Sequence, residues 1–323
     1  MLNIRKNFNP TSAEITWAPN QPQVDRSIKY FFKAGFSKPE LYITIAAIAA
    51  SFIAPPLISI PILLSVLALD VCLFAARFFV LPGANFLLKK GPNRENAQIT
   101  LSDGVKLTGL WNQKGDIRHR KLLILFPGND FSTGNGELSS VAKEKFDTIE
   151  MNYRGTNNSS GLFASHKKLV EDGIEIVAAA KKLGYSDISL FGYSLGGSIA
   201  PHVKDYFDDQ ENSSLNLALY ICNTFQRSDE IFSCTIKNPL GKIVTKYISK
   251  FFLKCIGWDY FYKPEYWKRL KGIKIITSGG KLDQNIPPEI NLAPAIAKID
   301  QNNVTIKDGD HYDLNLIRRI LNS

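Results

Sequence analysis

The stretch "SLFGYSLGGSIA", Ser189 to Ala200, decides how the rest of the chain is read. Ile188, Leu190 and Phe191 suit a β-strand, and Ser198, Ile199 and Ala200 open a helix-compatible run. Between them Gly192-Tyr193-Ser194-Leu195-Gly196 matches G-x-S-x-G. In a nucleophile elbow of that form the serine occupies a strained strand-to-helix turn, and the glycines let the backbone close around it. Ordinary Gly and Ser usage predicts on the order of 0.1 such matches by chance in a chain this long. The motif must therefore be judged by its surroundings.

Beyond residue 95 apolar runs alternate with helical stretches, the pattern of a mainly parallel sheet in an α/β domain. Ala97 to Gln113 reads as two strands joined at Asp103-Gly104. "KLLILFPGND" (Lys121 to Asp130) is a buried-strand pattern ending in a Pro-Gly loop. "FDTIEMNYRG" (Phe146 to Gly155) reads as another strand and loop, and Lys167 to Gly184 has helical apolar spacing closed by glycine. After the elbow come "LNLALYICN" (Leu215 to Asn223), "IKIITSGG" (Ile273 to Gly280) and "NVTIKDGD" (Asn303 to Asp310), each predicted as a strand.

Over residues 97 to 323 the chain resembles the α/β-hydrolase superfamily. The loop "FPGND", the loop "NYRGTNNSSG", the elbow "GYSLGG", then "GGKLDQNIP" and "DGDHYDL" follow one another in that superfamily's order. The resemblance implies a Ser–acid–His triad in that chain order. Ser194 is then the nucleophile. Of the four histidines, His119 and His166 precede it, and His202 reads as a surface or packing residue of the following helix. His311, after the last predicted strand, is the expected base. Asp283, in "KLDQNIP", is the expected acid, which would hold the imidazole in one tautomer and stabilise its charged form. Asp229 is a weaker alternative. The backbone N–H groups of Leu195 and Asn129 are the expected oxyanion donors, although Pro127 stands where the superfamily often has histidine. Pro removes only its own N–H, so donation from Asn129 survives. Arg154-Gly155 fits a supporting loop. No metal or organic cofactor is implied.

The chain of 323 residues, 45% hydrophobic and 21% charged, has a globular composition. A net charge of +9 invites a nucleic-acid or anionic-membrane partner. There is no zinc-finger spacing or RNA-recognition signature, so nucleic-acid binding is not expected. Cys72, Cys222, Cys234 and Cys255 form no C-x-x-C pair, which argues against a metal site or disulfide framework.

From Leu41 to Leu69 the sequence is free of charge, longer than the ~20 residues that span a bilayer. Pro55-Pro56 interrupts it. Two readings follow: one kinked span near 46–69, or a hairpin with arms near 41–54 and 57–78. Basic residues on both flanks, Arg26, Lys29, Lys33 and Lys38 before and Lys89, Lys90 and Arg94 after, favour the hairpin with both ends cytoplasmic. A buried helical pair is the alternative. The expected organisation is a polar region at 1–40, a hydrophobic membrane segment at 41–88, and a hydrolase domain at 95–323 with a cap at about 227–270. Within that cap Lys242, Lys246, Lys250 and Lys254 form a basic stripe beside Ile243, Tyr247, Phe251 and Phe252, able to rest on an anionic leaflet or to face water. Together these features predict a membrane-associated serine hydrolase acting on a lipid or another acylated ester or thioester. A catalytically silent hydrolase fold used for membrane or protein recruitment is the competing reading.

Overall fold

Short apolar runs assemble into one mixed sheet in the computed structural model, which describes residues 10, 13–17, 45, 46, 48, 60–70, 96–113, 121–129, 137–142, 145–161, 165–210, 215–234 and 236–322. The strands are β1 (Glu14–Trp17), β2 (Ala97–Thr100), β3 (Lys106–Asn112), β4 (Leu122–Phe126), β5 (Asp147–Met151), β6 (Asp187–Tyr193), β7 (Asn216–Cys222), β8 (Lys274–Ser278) and β9 (Val304–Ile306). Their spatial order is β1-β2-β3-β5-β4-β6-β7-β8-β9. The β1–β2, β2–β3 and β3–β5 pairs are antiparallel, and every pair from β5 across to β9 is parallel.

The central strands carry little alternation because both of their faces are covered. All five residues of β4 are buried, as are all five of β5. Leu122, Ile124 and Phe126 point into a core shared with α2 (His166–Lys182) and α3 (Gly196–Asp208). Leu123 and Leu125 point the other way, toward α1 (Glu137–Ala142) and α7 (Leu314–Asn322), where Leu138, Ile317 and Ile320 meet Phe191 and Tyr193. The period of two thus sorts one strand between two cores.

Helix α2 begins where Ser165 Oγ accepts the Lys168 N–H at 3.3 Å and ends with Lys181 and Lys182 near its carbonyl pole. The segment between β7 and β8 contains α4 (Ser228–Cys234), α5 (Pro239–Cys255) and a 3₁₀ turn at Pro264–Arg269. It is fastened at its base. Ser228 Oγ donates to the Trp258 carbonyl at 2.6 Å, Arg227 and Phe261 form a β-bridge, and the His166 N–H donates to the Gly257 carbonyl. Helix α6 (Leu292–Ala297) lies between β8 and β9.

One part differs from the sequence expectation. Glu14–Trp17, within the region read as polar, form β1, whose Ile15 is buried against β2. The predicted membrane segment at 41–88 lies mostly outside the described residues. Its described part is helical at 45, 46, 48 and 60–70, with Ile60, Ile62, Leu64, Leu67 and Leu69 exposed. Among the described residues no helix is long and apolar enough to cross a membrane.

Candidate active site

The elbow forms because β6 runs into α3 with only Ser194 and Leu195 between them. Ser194 takes that turn at φ 49°, a left-handed conformation that costs an L-residue about 1 kcal/mol or more. The turn is clamped by the Ser194 N–H donating to the Cys222 carbonyl at 2.9 Å and by Thr224 Oγ1 donating to the Ser194 carbonyl at 2.7 Å. The flanking glycines answer close backbone approaches. A Cβ at Gly192 would sit 2.6 Å from the Gly196 carbonyl oxygen, and one at Gly196 would sit 1.9 Å from that of Phe126.

The structure brings Ser194, His311 and Asp283 into one hydrogen-bonded chain. Ser194 Oγ lies 3.1 Å from His311 Nε2. His311 Nδ1 lies 3.0 and 3.1 Å from the two Asp283 carboxylate oxygens. With the imidazole proton on Nδ1, facing Asp283, Nε2 is the acceptor presented to the serine hydroxyl. Asp283 is fully buried, and its Oδ1 also accepts the N–H groups of Ile286 at 2.8 Å and Asn285 at 3.1 Å. Those contacts fix the carboxylate in the short turn after β8.

The loop "FPGND" lies against the elbow. A Cβ on Gly128 would come 2.9 Å from the Tyr193 ring and 3.2 Å from the Ser194 Cβ, so a larger residue there would push on the elbow. The Tyr153 hydroxyl donates to the Pro127 carbonyl at 2.8 Å, which holds the loop through the one backbone polar group that proline retains. Among the described residues neither the Leu195 nor the Asn129 N–H has a hydrogen-bond partner. Arg154, from the same loop as Tyr153, is buried and pairs with Asp172 through both Nε (2.6 Å) and Nη2, and with Asp103 at 2.9 Å. It is a structural clamp.

One residue was not legible as part of the site. Asn223, at the end of β7, is fully buried with φ 49°. Its Oδ1 accepts the Gly279 N–H at 2.7 Å, and its Nδ2 donates to the His311 carbonyl at 3.0 Å. The carboxamide thereby joins the strand end leading to Asp283 to the loop carrying His311. The Tyr193 hydroxyl donates to the same His311 carbonyl, and burial pushes its acidity well below that of an ordinary phenol, so it remains a donor.

The other candidates lie elsewhere. Asp229 is in α4, paired with Arg227 at 2.7 Å. His202 is buried rather than superficial, and it joins His166, Trp258, Tyr260 and Tyr262 in an aromatic cluster between α3 and the cap base. Among the described residues no group of three or more His, Cys, Asp or Glu side chains could hold a metal ion.

This sheet order, with a serine elbow between β6 and α3, is the α/β-hydrolase fold. An esterase of Pyrococcus furiosus superposes with a TM-score of 0.51 at 16% identity, covering 69% of this chain and 84% of that one. A Pseudomonas aeruginosa hydrolase covers 72% of this chain and 97% of its own, with a TM-score of 0.49 and 12% identity. No family model matches the chain. Among curated proteins, an uncharacterised Caenorhabditis elegans protein is 28% identical over 181 residues. The match covers 53% of this chain and 37% of that longer protein.

Proposed function

We propose that the protein is a membrane-associated serine hydrolase that cleaves a carboxylic ester or thioester. The observation that carries this reading is the continuous contact Ser194–His311–Asp283, centred on a serine held in a left-handed turn. His311 Nε2 takes the hydroxyl proton as Ser194 Oγ adds to the acyl carbonyl carbon. The carbonyl oxygen becomes an oxyanion, which the Leu195 and Asn129 N–H groups stabilise. On collapse, His311 returns the proton to the departing alkoxide or thiolate and an acyl-Ser194 ester remains. Water, deprotonated by the same imidazole, then releases the acid and restores the serine.

The charge-free run at 41–69, its basic flanks and the exposed apolar side chains of helix 60–70 support a membrane location with the catalytic domain on the cytoplasmic side. A substrate drawn from that membrane, a lipid or another acylated molecule, follows from such a location.

Fluorophosphonate labelling tests the chemistry. Labelling of the wild type, lost in both Ser194→Ala and His311→Ala while circular dichroism stays native, is the expected outcome. Each substitution should reduce turnover of an activated ester by about 10⁴-fold or more. A folded wild type that never labels would overturn the hydrolase reading in favour of a silent fold used for recruitment.

A further inference from the structure

Helix α5 turns an apolar face away from the protein. Leu240, Ile243, Val244, Tyr247, Ile248 and Phe251 are all exposed, Leu240 to 71% and Tyr247 to 70%. At about 3.6 residues per turn these six fall along one side, and the buried Leu253 falls on the other. The helix contains no Asp or Glu. Lys246 faces the packed side and pairs with Glu230 at 2.8 Å. Lys250 and Lys254 border the apolar strip and form no ion pair among the described residues. A helix held by one face, with a continuous apolar strip flanked by lysines along one edge of the other, has the chemistry of an interfacial helix.

We infer that α5 lies flat on a lipid bilayer that carries anionic headgroups, its apolar strip among the acyl chains and Lys250 and Lys254 at the phosphate level. Charge decides between this occupant and a second copy of the chain. Apposing two α5 faces supplies no countercharge to Lys250 and Lys254, because neither helix carries an acid. An anionic leaflet supplies both the hydrocarbon and the countercharge. The inference deepens the proposed membrane association by naming the surface that touches the lipid, and it does not depend on the chemistry at Ser194.

Cys255 provides a built-in probe, since it is exposed and lies on the same side of α5 as Phe251 and Ile248. The full chain is mixed with vesicles of phosphatidylcholine alone or with added phosphatidylserine. Flotation is then scored alongside alkylation of Cys255 by a water-soluble maleimide, resolved by peptide mass spectrometry. Docking slows alkylation by about tenfold or more on the anionic vesicles. The Lys250→Gln/Lys254→Gln variant needs about thirtyfold more anionic lipid for the same protection, as expected from ~1 kcal/mol per lysine. A Val244→Gln/Phe251→Gln variant loses the protection while keeping its native circular dichroism.

Protein that floats with Cys255 still reactive would sink the α5 proposal and leave membrane association standing. Protein that does not float at all ends both. Protection without vesicles also overturns the docking: growth with protein concentration identifies a second copy as the occupant, and independence of concentration identifies another segment of this chain. Fluorophosphonate labelling run in parallel reads the hydrolase proposal separately.

Discussion

Asn223 moves no proton in the proposed reaction, yet its carboxamide touches the strand ends that lead to both the acid and the base. Asn223→Ala would leave the Gly279 N–H and the His311 carbonyl to find new partners, at a stability cost of about 1–3 kcal/mol. We expect kcat to fall about 10²-fold with KM little changed, because a small displacement of His311 is felt mainly in the transition state. Asn223→Asp keeps the acceptor for Gly279 and loses the donor, so its kcat should lie between the two. A shift in the pH–rate profile of Asn223→Ala would separate positioning from a plain loss of fold. Ser194, Asp283 and His311 were legible because each stands in a loop whose place in the chain order is diagnostic. Asn223 was not, because a lone amide at a strand end has no motif and its two partners lie 56 and 88 residues away. The sequence left His202 between a surface and a packing role for the same reason, since the tyrosines that bury it belong to a distant part of the chain.

Among the elements, the elbow between β6 and α3 tolerates least. Gly196→Ala places a methyl carbon against the Phe126 backbone, which cannot turn aside. We expect that variant to lose about 3 kcal/mol or more, or to be recovered only as insoluble protein. Gly104→Ala is the useful contrast: its φ of 80° is strained for alanine, but nothing lies within 4 Å. A loss of about 1 kcal/mol is expected there, and urea denaturation of both variants measures the difference. Strands β4, β6, β7 and β8 were legible as apolar runs between turn residues, and β2, β3 and β9 from the Asp-Gly turns beside them. Strand β1 escaped because it stands alone in a polar region, and its partner β2 follows some eighty residues later.

For the whole molecule, the cluster linking α2, α3 and the cap base sets an acid limit. Burial lowers the pKa of His166 to about 4, against a partly opposing hydrogen bond to the Ser198 carbonyl. Burial also holds His202 well below its ordinary value, with the neighbouring His166 acting in the same direction. Both are therefore neutral in the folded state. Below pH ~6.5 the unfolded chain binds a proton that folded His166 refuses, so the stability present above that pH is lost as pH falls toward 4. The loss is about 1.4 kcal/mol per pH unit, or roughly 3 kcal/mol over the window, with His202 adding to it. Urea unfolding followed at pH 8, 6 and 4 should show this decline, and His166→Gln should flatten it. An unchanged slope in that variant would place the acid sensitivity elsewhere.

The three groups of the proposed triad come from the ends of β6, β8 and β9, taken in the order in which the chain is made. His311 is the last of them, and its loop follows a strand that, among the described residues, pairs only with β8. Domains generally fold as units. The proposed reaction therefore cannot begin on a nascent chain in which only the elbow has left the ribosome, because the imidazole that would take the Ser194 proton follows it by 117 residues.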